Sequence, residues 1–247
     1  MSSTPVPAPS IVQLLQGGVL DAELAALLWL LADAGVPIVI AAPPARLGAG
    51  RQLLEGCLVS FRPAAWETTF GDPLVPEGAR ALVMGARAGG IVPATSLADV
   101  REQLAAPPFG LDGASLGGLG VVLVLGPGEG AAPAGEAGAG TSGRLRVVVA
   151  HYVRPVARDA HGHIQAPAPA VLASWEPRLG AWEHFAWGVI PEIALRLGRS
   201  APDLEADLHH RRDDLAGLVT AGVTAPDEVR RLIAGYHPAY GRPHGAH

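Results

Sequence analysis

The sequence contains no lysine; all eighteen of its basic residues are arginine. A chain dominated by alanine, glycine, arginine and proline has this pattern when genomic base composition is biased. Arginine in a lysine position is therefore weighed with that bias in mind. There is a single cysteine, Cys57, which excludes an intrachain disulfide and leaves a zinc site without cysteine partners. It falls among apolar residues and reads as a small core residue. Charged residues make up only 17% of the chain and the net charge is −5, so no basic surface for nucleic acid is expected. The longest apolar run, Leu24 to Ala34, is too short to span a bilayer and contains Asp33. Met1 to Pro9 is small and proline-rich, with neither a basic start nor an apolar centre, so no signal peptide is expected and the default is a soluble cytoplasmic protein. There is no Gly-x-Ser-x-Gly elbow and no base near Cys57 in sequence, which removes support for nucleophilic catalysis. None of the nine histidines is grouped as metal ligands: His161 and His163 sit in a turn, and His209 and His210 are adjacent on an expected helix and point to different faces.

What is present is apolar sequence in alternating helical and extended segments. The hydrophobic fraction is 49% over 247 residues, enough for a sizeable core. Ser10 can cap a short helix ended by Gly17 and Gly18. Asp21 can cap a second that stops at Gly35, with Leu20, Leu24, Leu27, Leu28 and Leu31 at helical spacing. Trp29 lies beside that face as a core or interface aromatic. Strands are expected at Ile38–Ala41, Ile91–Ala94, Leu119–Leu125, Arg144–Val153, Val171–Trp175 and Trp182–Trp187, the last two as an antiparallel tail. Core or intersubunit packing is expected of Trp175, Trp182 and Trp187. The segment Ala79 to Ala86 fits either a helix or a strand. Ser96 to Asp99 has capping-box spacing and opens a helix through Leu104. Helices are expected at 191–197, 201–221 and 226–235. The division is a disordered start (1–9), a core (10–188) with a flexible Gly/Ala excursion at 126–143, a helical C-terminal segment (189–240) and a tail (241–247). Within the excursion, Gly135 to Ser142 spells a near-Walker loop without its lysine, but a strand follows it, so it reads as a decoy.

The central stretch runs from Pro37 to Phe61. It reads as a buried strand (Ile38 to Ala41), a Pro/Gly loop (Ala42 to Gly50) and a helix opening near Arg51, the context of a phosphate-binding loop.

Three stretches carry a family resemblance: Leu20 to Ala41 (LDAELAALLWLLADAGVPIVIA), Arg80 to Val100 (RALVMGARAGGIVPATSLADV), and Leu119 to Gly188. In arrangement they resemble the ATPase core of type II/type IV secretion and pilus-assembly motors. The first is similar to the helix and strand entering the Walker A loop, the second to the segment around the histidine box, and the third to the final strands. The resemblance implies a P-loop NTPase-like α/β fold with an antiparallel strand extension and a helical C-terminal segment. It also implies ATP with Mg²⁺ as cofactor, and a homo-oligomer or a hetero-oligomer with a related ATPase at an inner-membrane secretion or pilus platform. The nucleotide-binding positions it would assign are Gly48, Ala49, Gly50, Arg51 and Gln52.

The chemical motifs depart from the family pattern. Arg51 stands where the phosphate-binding lysine would be; a planar guanidinium does not replace a compact ammonium. Gln52 stands for the Mg²⁺-ligating Ser/Thr hydroxyl, and Pro93 stands at the box histidine. No apolar strand ending in Asp-Glu precedes the box; beyond Glu55 the acids there are Glu67, Asp72 and Glu77, which read as surface loop positions. The expectation is a non-catalytic or weakly nucleotide-binding relative acting through subunit contacts, with no catalytic residue and no metal site. Two alternatives stand beside it. One is an NTPase using Arg51. The other is a nucleotide or anion sensor holding phosphate on the backbone N–H groups of Gly48 to Gln52.

Overall fold

The structure, a computed structural model, describes residues 8–61, 73–128, 145–158, 164–165 and 167–236. In chain order the helices are α1 (Ile11–Gln16), α2 (Ala22–Asp33), α3 (Leu47–Phe61), α4 (Pro76–Val83), α5 (Leu97–Ala105), α6 (Ile190–Arg196), α7 (Ala201–Thr220) and α8 (Pro226–Ala234). The strands are β1 (Ile38–Ala42), β2 (Gly89–Pro93), β3 (Val121–Pro127), β4 (Leu145–Tyr152), β5 (Ala157–Arg158), β6 (Ile164–Gln165), β7 (Ala170–Glu176) and β8 (Ala181–His184). Six strands form one sheet in the order β2-β1-β3-β4-β7-β8, and β5 pairs with β6 separately. β1 is parallel to both its neighbours, with Ile38 opposite Gly89 and Val121; β4, β7 and β8 add on antiparallel. The protein is therefore a mixed α/β fold, with helices on both faces of the sheet.

β1 fixes this layering because all five of its residues are buried. Ile38, Ile40 and Ala42 point into a core shared with α1, α2, α3, α6, α7 and α8, whereas Val39 and Ala41 point into a second core with α4 and α5. A strand buried on both faces reads as a continuous apolar run, as Ile38 to Ala42 does. The expected caps are formed. Ser10 and Gln13 make a reciprocal capping box at α1, Asp21 Oδ1 accepts the Leu24 N–H at 3.0 Å, and Ser96 Oγ accepts the Asp99 N–H at 3.1 Å. Gly35, at φ 73°, takes the left-handed conformation that ends α2. Trp29 is buried, stacked with Phe61 and edge-on to Tyr236.

One open segment is settled and two expectations shift. In the segment 79–86, which fitted either helix or strand, Ala79 to Val83 are the end of helix α4, opened by Pro76 at its first position and directing Ala79 and Leu82 inward. Gly126 and Pro127 belong to β3 and not to the loop excursion, because β4 pairs with both. The strand expected to reach Trp187 ends at His184; the chain turns through a 3-10 segment, Ala186–Gly188, to meet Pro191 in the first turn of α6. Trp187 is in consequence 75% exposed, while Trp175 is buried. The near-Walker spelling at 135–142, His161, His163, Glu67, Asp72 and the tail lie outside the described residues.

A second 3-10 segment, Ser115–Leu119, leads into β3 and lies on α4. Its Gly118 approaches so closely that a Cβ there would sit 2.1 Å from the Val83 carbonyl oxygen. Backbone cannot give way as a side-chain tip can. Gly118→Ala is expected to lower stability by roughly 1–3 kcal/mol, read as a lower urea midpoint at unchanged slope; an unchanged midpoint would remove this contact as a constraint.

Candidate functional site

The corner between β1 and α3 carries the residues expected to bind nucleotide, and its boundaries differ from the expectation. Ala42 completes β1, Pro43 is extended, Pro44–Arg46 form a 3-10 turn, and α3 begins at Leu47. The expected nine-residue loop is thus reduced to Pro43–Arg46, and the helix opens four residues before Arg51. Two causes act together. Proline has the backbone angle of a first helical turn, and Leu47 packs on the core once the helix includes it.

The five positions occupy the first turns of α3. Gly48 is exposed, with open space around it. Gly50 is buried, and a Cβ there would lie 3.0 Å from Ala42 Cβ and 3.4 Å from Ile40 and Ile91, so this glycine lets the helix approach the sheet. Ala49 is half-buried; the Arg51 and Gln52 side chains are exposed. Arg51 and Gln52 are the fifth and sixth residues of α3, where backbone N–H groups belong to the helix's own ladder. Ahead of them Pro43 and Pro44 have no N–H, and the Arg46 N–H donates to the Pro43 carbonyl at 2.7 Å. A phosphate cradle directs successive N–H groups at one anion. Here these positions wind around a helix.

Opposite this corner, β2 passes into α5 on the other face of the sheet, so β1 and β2 lead to opposite faces from their C-terminal ends. Hydrogen bonds tie these ends together. The Ala94 N–H donates to the Ala42 carbonyl at 3.0 Å, and Gln103 Nε2 donates to the Pro93 carbonyl at 2.6 Å. The Asp99 carboxylate accepts from both the N–H and the hydroxyl of Thr95, which hold its pKa below the ordinary carboxylate value. Glu77 is exposed in the first turn of α4. Burial pushes the Cys57 thiol up to about 12, so it stays protonated and inert near neutral pH. His209 and His210 are both exposed. Among the described residues no group of His, Cys, Asp or Glu could hold a metal ion.

Sequence reasoning missed a second constellation on the six-helix face. The Asp207 carboxylate, fully buried on α7, accepts from Arg211 Nε at 2.9 Å, Arg199 Nη1 at 2.5 Å and the Tyr236 hydroxyl at 2.7 Å. Arg211 also reaches Asp33 at the end of α2 and lies over the Trp29 and Tyr236 rings, 4.5 and 4.9 Å from their centres. Burial opposes ionising Asp207, but the hydrogen bonds from Arg211 and Arg199 outweigh it and hold the pKa down; at Asp33 burial prevails and the pKa is raised. The i,i+4 spacing of Asp207 and Arg211 was the local signal available; the partners Asp33 and Tyr236 are remote in sequence.

A third contact joins the far sheet edge to a helix cap. His184 Nε2 lies 2.7 Å from Asp21 Oδ2, with Glu23 4.0 Å from Nδ1. Burial disfavours the imidazolium, yet the hydrogen bond and charge of Asp21, with Glu23, raise the His184 pKa.

No protein-family model matches the chain, and no curated protein is significantly similar to it. Among the described residues no helix is long and apolar enough to cross a membrane.

Two outcomes are expected. Asp207→Ala leaves two guanidiniums in a buried site without their shared carboxylate, and a loss of roughly 3–5 kcal/mol is expected in denaturant unfolding. A change below half a kilocalorie per mole would show the cluster to be structurally idle. For His184, a raised folded pKa means a stabilising contribution that is full below the unfolded value of about 6.5 and is lost as pH rises through the folded value. His151 carries the opposite sign, because burial lowers its pKa. The measurable quantity is therefore the stability difference between wild type and His184→Gln, expected to shrink from pH 5.5 to pH 8.5; a constant difference would contradict the pairing.

Proposed function

We propose that this protein is a non-catalytic relative of the secretion and pilus motor ATPases, acting through contacts with other protein subunits and not through nucleotide turnover. The observation that carries this reading is the start of α3. With Pro43 and Pro44 ahead of it and Leu47 packed on the core, the β1–α3 corner is a tight turn and not an open phosphate cradle. Phosphoryl transfer depends on positioned cations and N–H donors around the phosphates, and Arg51 and Gln52 project from the body of a helix. The fold class, a strand–helix corner in a mixed sheet with an antiparallel extension, agrees with the resemblance without being specific to it.

Subunit contact is supported by large apolar side chains left in solvent. Trp187 is 75% exposed on its 3-10 turn, and Leu195 is 81% exposed on α6, an element in contact with that turn. The proposed partners are further copies of this chain or a related active ATPase, assembled at the inner face of a membrane-bound secretion or pilus platform, which places the protein in the cytoplasm.

Calorimetry with ATP·Mg²⁺ and a phosphate-release assay test the first half of the proposal, and no turnover above blank is expected. Turnover, or micromolar ATP binding, that Arg51→Ala abolishes would overturn it. Light scattering after gel filtration tests the second half. The wild-type chain is expected to assemble with itself or with an added motor ATPase, and Trp187→Ser to weaken the assembly.

A further inference from the structure

Between the C-terminal ends of α2 and α6 and the side of α7 lies a cavity of about 320 Å³. Three guanidiniums line it, those of Arg196, Arg199 and Arg211, together with Asp33 and the apolar side chains of Leu30 and Leu197. The volume falls at the lower end of small-molecule sites, which run from about 300 to 1,000 Å³.

The hydrogen bonds within the protein leave donors over. A guanidinium carries five N–H groups. Arg196 uses Nη1 on the Tyr152 hydroxyl at 3.0 Å. Arg199 uses Nη1 on Asp207 and Nη2 on the Asp203 carbonyl, and Arg211 uses Nε on Asp207 and Nη1 on Asp33. Arg196 Nε and Nη2, Arg199 Nε and Arg211 Nη2 make no hydrogen bond among the described residues. Charge is uneven in the same direction. Three cations meet two carboxylates, Asp33 and Asp207, leaving one positive charge over. Asp207 has no exposed side-chain surface and anchors both Arg199 and Arg211, so two of the three forks are fixed before any ligand arrives.

We propose that this cavity binds the phosphate group of a small phosphorylated metabolite, with Arg196, Arg199 and Arg211 as its donors. Three guanidiniums converging from separate elements suit a tetrahedral group with three free oxygens better than a planar carboxylate, which offers two. Leu30 and Leu197 supply an apolar wall for the body of the ester. The site shares no residue with the β1–α3 corner, so it stands or falls separately from the reading of that corner.

Thermal unfolding of the full chain at constant ionic strength tests the assignment, with inorganic phosphate, glycerol phosphate and sodium chloride as probes. A saturable rise in melting temperature is expected with both phosphates and not with chloride, glycerol phosphate acting at the lower concentration. A response to inorganic phosphate alone would keep the site and name the free ion as its occupant. Arg196→Gln loses only the Tyr152 contact and is expected to raise the half-saturating concentration at least tenfold. Arg196→Lys, which keeps the charge and loses the fork, is expected to raise it severalfold, and serves if the glutamine variant does not fold. Equal responses to phosphate and chloride, or half-saturation unchanged in both variants, would overturn the proposal.

Discussion

The buried carboxylate of Asp207 ties together parts of the chain that are far apart in sequence. It sits on α7, binds Arg199 from the turn before that helix and Tyr236 from beyond α8, and reaches the end of α2 through Arg211 and Asp33. An ion out of water is tolerated only when its acceptor positions are filled, and here three donors fill them. Trp29, stacked on Phe61 and edge-on to Tyr236, presents its ring with that of Tyr236 to the Arg211 guanidinium, so the aromatic packing that joins α2, α3 and the end of α8 adjoins the ionic cluster on α7. The apolar faces of these helices would bury surface in many arrangements; the Asp207 cluster selects one.

That selection bears on the β1–α3 corner. α3 lies between the sheet and the same helical layer: Leu53, Leu54 and Cys57 join the core, and Gly50 allows contact with Ala42 and Ile40. A helix held this tightly starts as early as its sequence permits, and two prolines permit a start immediately after β1. The strand–turn–helix corner is therefore tight, with only the four residues Pro43 to Arg46 between β1 and α3. The same economy of space leaves polar character elsewhere, in the arginine-lined cavity at the ends of α2 and α6.

Much of the backbone was legible beforehand. Strands were expected at Ile38–Ala41 and Leu119–Leu125 because burial on both faces needs uninterrupted apolar residues, and they form at Ile38–Ala42 and Val121–Pro127; Ser10, Asp21 and Ser96 read as caps because their chemistry is local. The loop before Arg51 was misread because Gly48 and Gly50 look like loop residues in sequence; only Ala42, Ile40 and Ile91, brought alongside by the sheet, show Gly50 as a packing glycine. The end of β8 was misplaced for a related reason: Phe185 to Trp187 is as apolar as a strand, but the ladder with β7 stops at Ala173 and His184 and the chain turns into the 3-10 segment Ala186–Gly188.

By itself the sequence determined the mixed α/β class, most helix and strand positions, the inert setting of Cys57 and the departures at Arg51 and Gln52 from a phosphate-binding motif. These depend on periodicity, caps and residue chemistry, which act over a few positions. Tertiary structure alone decided that α3 begins at Leu47, that Asp33, Arg199, Asp207, Arg211 and Tyr236 form one cluster, and that His184 meets the cap of α2. Each of these is a contact between residues far apart in the chain, and no local pattern specifies which distant partner will satisfy a buried charge or fill the space beside a glycine.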